Sequence, residues 1–233
     1  MITNKKLLIP TSALFLLIQA WFSLQIQTVT PDLVRSYQFS SVVLACTFCA
    51  LFFEISQKYA LTQIALIFTV FSDYFLVYID QQNQLGGMIC FSVVQIAYFL
   101  RLLLEDENEQ RRKIHLIVRA VLSVIATIVP FAVLQQKTDA LALISVFYYA
   151  NLLLNLVFAF INFKKVPLMA VGFLCFVLCD TVIGLANIGP YFSINEGSFV
   201  HKLLHPGFDP AWAFYVPSFT LLSISLLPER LKK

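Results

Sequence analysis

Two aspartates stand where a lipid bilayer would reject them. Asp73 sits in FTVFSDYFLVY, residues 68–78, and Asp180 in VLCDTVIGL, residues 177–185. An aspartate at the centre of a membrane helix costs roughly 2.5–3.5 kcal/mol on insertion scales, so each requires a compensating environment. With helix starts near Tyr59 and Pro167, both lie roughly 20 Å from the inner end at 1.5 Å per residue. They share a depth in the outer half of the membrane. Two carboxyls at one level stabilise each other only where at least one is protonated or a polar cavity surrounds them. That state supplies an acid and a base from one residue type, the requirement of general acid–base chemistry.

Other polar residues fall within reach of that level. Gln95 and Tyr98 share a helix face with Phe91 and Leu102, because residues three and four apart are neighbours on a helix. Gly184 and Asn187 follow Asp180 on its own helix, and Tyr215 and Ser218 flank Pro217 on the last one. A proline inside a helix frees a carbonyl and can bend the helix toward a site. The candidate site is therefore Asp73 and Asp180 for catalysis, with Gln95, Tyr98, Tyr215, Ser218 and Asn187 for substrate binding. Gln95 is placed to hydrogen-bond an aspartate or a ligand. Asn151 and Asn155, four apart, read as hydrogen-bonding glue between helices.

The elements that must hold these residues are membrane helices. The chain has 233 residues, 59% hydrophobic and 12% charged, and a mean hydropathy of +0.81, which excludes a water-soluble core as the organising principle. Apolar runs near the twenty or so residues that cross a bilayer occur at 7–26, 38–55, 59–79, 85–104, 115–134, 140–162, 167–188 and 210–228. The expected fold is all-α, a polytopic bundle of eight transmembrane helices in one membrane domain.

Lys and Arg concentrate in cytoplasmic loops, and eight crossings divide the 16 basic residues thirteen to three. The majority side includes Lys58, Arg101, Arg111, Arg112, Lys113, Arg119, Lys164, Lys165 and both termini; Arg35, Lys137 and Lys202 fall on the other. Both termini are thus expected in the cytoplasm. The net charge of +3 is a topology signal and implies no nucleic-acid partner. The first run continues through Trp21 and Phe22 without a small-residue cleavage site, so it reads as a retained helix and not a secretory signal.

Residues 105–114, EDENEQRRKI, read as a solvated connector between two four-helix halves. The aspartates, 107 residues apart, suggest a parallel repeat about the membrane normal. In the outer segment 189–209, Ser198 can cap a short helix with His201 and His205 at i, i+4. No H-E-x-x-H pattern or third ligand accompanies them, and no metal is expected. Cys46, Cys49, Cys90, Cys175 and Cys179 read as small packing residues.

SDYFL around Asp73, GMICFSVVQIAYFLRLL at 87–103, GFLCFVLCDTVIGL at 172–185 and FYVPSFTLLSISL at 214–226 resemble the YhhN-like family of integral membrane proteins, which includes lysoplasmalogenases. The resemblance implies an eight-helix fold with two membrane aspartates, matching Asp73 and Asp180. It also implies hydrolysis of the vinyl ether of a lysophospholipid-type amphiphile, without metal or organic cofactor, in a protein of the plasma membrane. Gln95 stands where many relatives have a His, and Ser218 and Phe219 where a Gln is usual, so position 95 cannot shuttle protons here. A proton-coupled transporter and a non-catalytic lipid-binding protein are the competing classes.

Overall fold

The structure is a computed structural model that describes residues 5–51, 56–79, 84–188, 191–192, 197–204 and 207–227. Among the described residues it is helical throughout: α1 (Lys5–Thr28), α2 (Pro31–Leu51), α3 (Gln57–Asp73), α4 (Gln84–Glu105), α5 (Glu109–Leu134), α6 (Ala140–Ile161), α7 (Pro167–Ala186), α8 (Phe199–Leu204) and α9 (Pro210–Ile224). The first seven, α3 together with the π-helical turn that continues it, are long and apolar enough to cross a membrane.

The eighth expected span is shorter than its apolar run. α9 has 15 residues, about 22 Å at 1.5 Å per residue, yet it runs the height of the bundle. At its start Asp209 exchanges two hydrogen bonds with Gln27 near the end of α1, 2.7 and 3.0 Å. Just past its end Ser225 accepts from Arg101 Nη1 at 2.7 Å, at the level where the same nitrogen reaches Thr62 in the first turns of α3.

Two other boundaries differ from expectation. α2 begins at Pro31 and not near 38, because proline suits a first helical position and Asp32 suits the first turn; the polar Gln38 and Ser41 that depress its hydropathy are buried against neighbours. The 105–114 connector is mostly helix. α4 runs to Glu105 and α5 starts at Glu109, where Asn108 accepts from the Arg111 N–H at 3.0 Å and caps good helix formers. Residues 106–108 are the whole link. Arg101 and Arg119, expected among loop cations, are inside helices and 0% and 7% exposed; Arg230, Lys232 and Lys233 lie outside the described residues.

The helices form a ring in the order α2, α3, α4, α6, α7, α9, closed by α9 against α2, with α1 packed outside α2 and α9 and α5 outside α6. Large side chains fill its middle, among them Phe91, Tyr98, Phe173, Phe176, Tyr215 and Phe219. At the inner end the links are ionic: Lys58 pairs with Glu105 at 2.6 Å, Arg111 with Asp106 at 3.1 Å and Lys165 with Glu107 at 2.9 Å.

Candidate functional site

Asp73 is the last residue of α3, 3% exposed, and the helix widens into a π-turn over Tyr74–Ile79 directly after it. Such widened turns are frequent at functional sites. Ser72 fixes the position by donating to the Gly87 carbonyl of α4 at 2.7 Å. Glycine is required for that approach, since a Cβ at Gly87 would stand 2.5 Å from the Leu76 Cγ. Across the ring, the Tyr215 hydroxyl of α9 donates to Asp73 Oδ2 at 2.8 Å.

Asp180 is half-buried on α7, and its Oδ2 accepts from the hydroxyl of Tyr148 on α6. The next pair in register repeats the link: Tyr149 donates to Thr181 Oγ1 at 2.7 Å, while Thr181 donates to the Val177 carbonyl. α6 and α7 are thereby zipped at the level of the carboxyl.

The two phenols meet over one ring. Phe91 lies 5.6 Å from Tyr148, 6.4 Å from Tyr215 and 5.8 Å from Phe176, and Phe176 lies 5.7 Å from Tyr215. The carboxyls thus belong to one aromatic-walled interior, approached from α3 and α7. No Lys or Arg pairs with either among the described residues; their neighbours are neutral donors. An ionised carboxylate offers about four acceptor positions, so one tyrosine leaves each with acceptor capacity to spare.

The remaining expected residues divide. Tyr215 is in the site. Ser218 is 0% exposed one turn inward of Tyr215, and its Oγ has no partner among the described residues. Tyr98 is buried deeper, edge-on to Phe173 at 5.3 Å, with its hydroxyl equally unpartnered there. Gln95 does not bond an aspartate: its Oε1 accepts from Asn155 at 2.9 Å. Asn187 is outside the site. It is exposed at the end of α7 and its side chain caps that helix through the Ile183 carbonyl at 2.8 Å; Gly184 likewise has nothing within 4 Å of a Cβ position. Both lie more than a helical turn's rotation from the face that carries Asp180, because residues four and seven apart drift outward where the ring ends.

Tyr148 and Arg119 went unmarked by the sequence reading. Tyr148 belongs to the run VFYYAN on a helix apolar all round, where periodicity assigns no inner face. Arg119 resembled a loop cation; it donates to Asn151 Oδ1 at 2.7 Å and Asn155 Oδ1 at 2.6 Å and lies 4.1 Å over the Phe99 ring. Asn151 and Asn155 do join helices, as their spacing suggested. The five cysteines are free thiols. Ser198 caps α8 by accepting from the His201 N–H at 3.2 Å, whereas His205 lies outside the described residues. Among the described residues no group of three His, Cys, Asp or Glu side chains is arranged to hold a metal ion.

No curated protein and no solved structure matches the chain. Residues 35–200 match the profile of the YhhN family, and the chain belongs to that family.

Proposed function

We propose that this YhhN-family chain is a membrane hydrolase that cleaves the vinyl ether of lysoplasmalogens, with Asp73 and Asp180 as its acid–base pair. The observation that carries the reading is the pair of carboxyls in one aromatic interior, each held by one phenol and neither matched by a cation. In the same reading α9 is the eighth span, both termini are cytoplasmic, and the protein resides in the plasma membrane.

The chemistry follows from the pair. One carboxyl, protonated, gives its proton to the β-carbon of the vinyl ether and leaves an oxocarbenium ion. The ionised partner steadies that charge and takes a proton from the water that adds to the α-carbon, forming a hemiacetal. Collapse of the hemiacetal returns one proton to the first carboxyl and delivers the other to the departing oxygen. The products are a fatty aldehyde and a glycerophospho-alcohol, and the pair is restored. The phenols of Tyr148 and Tyr215 hold the carboxyls in place. Phe91, Phe176 and Phe219 offer apolar surface for the alkenyl chain, and Ser218 and Tyr98 offer hydroxyls inward of it.

The test is aldehyde release. Purified protein in detergent, given a lysoplasmalogen, is expected to liberate fatty aldehyde, and Asp73→Asn or Asp180→Asn to stop it. Full activity in both variants would remove the mechanism.

One observation favours a second reading, a proton-coupled carrier. The neighbour order α2, α3, α4, α6, α7, α9 maps onto itself when α2, α3, α4 exchange with α6, α7, α9, the relation of two parallel halves of four helices. Substrate-dependent proton uptake into liposomes without aldehyde release would select the carrier.

A further inference from the structure

Gln95 is wholly buried between Phe91 and Tyr98 on the ring-facing side of α4, and its Nε2 has no acceptor among the described residues. Buried amide donors are nearly always paired, so this one awaits a partner. Its side chain cannot simply turn over. Asn155 Nδ2 donates to Gln95 Oε1 at 2.9 Å and to the Gln95 backbone carbonyl at 3.0 Å. Asn155 Oδ1 in turn accepts from Arg119 Nη2 at 2.6 Å.

A guanidinium has donors and no acceptor. Arg119 therefore forces the oxygen of Asn155 toward itself, which turns the nitrogen of Asn155 to Gln95, which turns the oxygen of Gln95 to Asn155. The N–H pair of Gln95 is left facing the ring. Asn151, accepting from Arg119 Nη1 at 2.7 Å, holds the guanidinium in place.

Depth brings this donor to the carboxyls. Side chains lean toward the N-terminus of their own helix. α4 runs opposite to α3 and α7, so Gln95 leans outward while Asp73 and Asp180 lean inward. Phe91, one turn from Gln95, touches the phenols that hold both carboxyls. A group lodged between an amide that only donates there and a carboxylate that only accepts must do both, and a hydroxyl does.

We infer that Gln95 and the aspartate pair form the two sides of a hydroxyl-binding site for an amphiphile, and that Arg119, acting through Asn155, is the positioning residue that sets its polarity. The inference rests on the proposed function for its choice of amphiphile, a glycerol-based lysophospholipid whose free hydroxyl neighbours the ether.

Binding of two uncleavable lipids tests it separately from catalysis: a saturated alkyl-ether lysophospholipid with its free glycerol hydroxyl, and the same lipid lacking that hydroxyl. Titrations in detergent are expected to show about tenfold tighter binding of the hydroxyl lipid by the wild type, the worth of one buried hydrogen bond. Gln95→Met should erase the preference while leaving affinity for the deoxy lipid unchanged. Arg119→Met and Asn155→Leu should weaken the preference, with Arg119→Lys restoring part of it; melting curves in detergent certify that each variant is folded. Equal affinity of the wild type for the two lipids, including none for either, overturns the inference. So does a preference that survives Gln95→Met, which would assign Nε2 to a buried water. A chain that shows the preference yet releases no aldehyde from lysoplasmalogen would sink the hydrolase and leave the hydroxyl site standing.

Discussion

The ring buries charge at two levels and treats it in opposite ways. At the inner end, Arg101 is wholly buried and donates to Thr62 and Ser225 at 2.9 and 2.7 Å. Glu105 lies 3.9 Å from it and also takes the Lys58 ammonium at 2.6 Å. Charges of both signs are interleaved there and tie α3, α4 and α9 together. In the outer half, Asp73 and Asp180 meet only neutral hydroxyls. A buried ion pair is a poor source of net stability, but removing one member is destructive because the other is stranded. The inner level is thus a structural closure with its electrostatics spent internally. The outer level retains unmet acceptor capacity, which is what a site needs in order to engage something else.

That contrast can be broken by exchanging the roles of the two levels. The largest effect is expected from Asp73→Asn or Asp180→Asn, which should lower aldehyde release by roughly 10³-fold, within the range for loss of a general acid or base, while melting temperature holds or rises. An equal loss of stability would make the outer pair structural too. Next, Arg101→Met should destabilise the bundle by about 3 kcal/mol through the stranded Glu105, read as a lower melting temperature with activity per folded molecule retained. Tyr148→Phe and Tyr215→Phe should each reduce turnover by about tenfold, the scale of one hydrogen bond to a charged group; unequal losses would show which carboxyl works as the ion.

The smallest effect belongs to the inner rim. The Lys165 ammonium, bonding Glu107 at 2.9 Å, holds the Glu107 carboxyl below its usual range. A carboxyl depressed in the folded state contributes above the ordinary glutamate value and loses the contribution as pH falls through the folded one. The pair is exposed, so salt screens it. Lys165→Met should therefore shift the melting temperature slightly near neutral pH and not at all in strong acid. A shift that persists in acid would assign Lys165 to the Glu105 carbonyl, which it also reaches at 3.3 Å.

Which residues were legible in advance follows from what each signal measures. Asp73 and Asp180 stand out because a carboxyl in an apolar run is costly wherever it points. Tyr215 stood out beside a proline. Tyr148 did not, because a tyrosine in an aromatic helix is ordinary until its hydroxyl is seen to face a carboxyl. Asn187 was misplaced for the converse reason: polar character near Asp180 in sequence carried no information on where α7 stops, and at that stop the asparagine serves the helix end. The reach of α2 and α5 was underestimated because hydropathy responds to lipid contact, whereas polar and charged side chains at Gln38, Ser41 and Arg119 are shielded by other helices.

The sequence by itself determined that the chain is a bundle of membrane helices and that two carboxyls lie at one depth within it. Both statements depend only on distances along the chain, through the length of apolar runs and the fixed rise of a helix. The tertiary structure alone decided which phenol each carboxyl meets, that both meet them around Phe91, and that Arg119 sets the orientation of Gln95 through Asn155. These depend on the rotation of each helix about its own axis, and a helix that is apolar all round leaves that rotation to its neighbours.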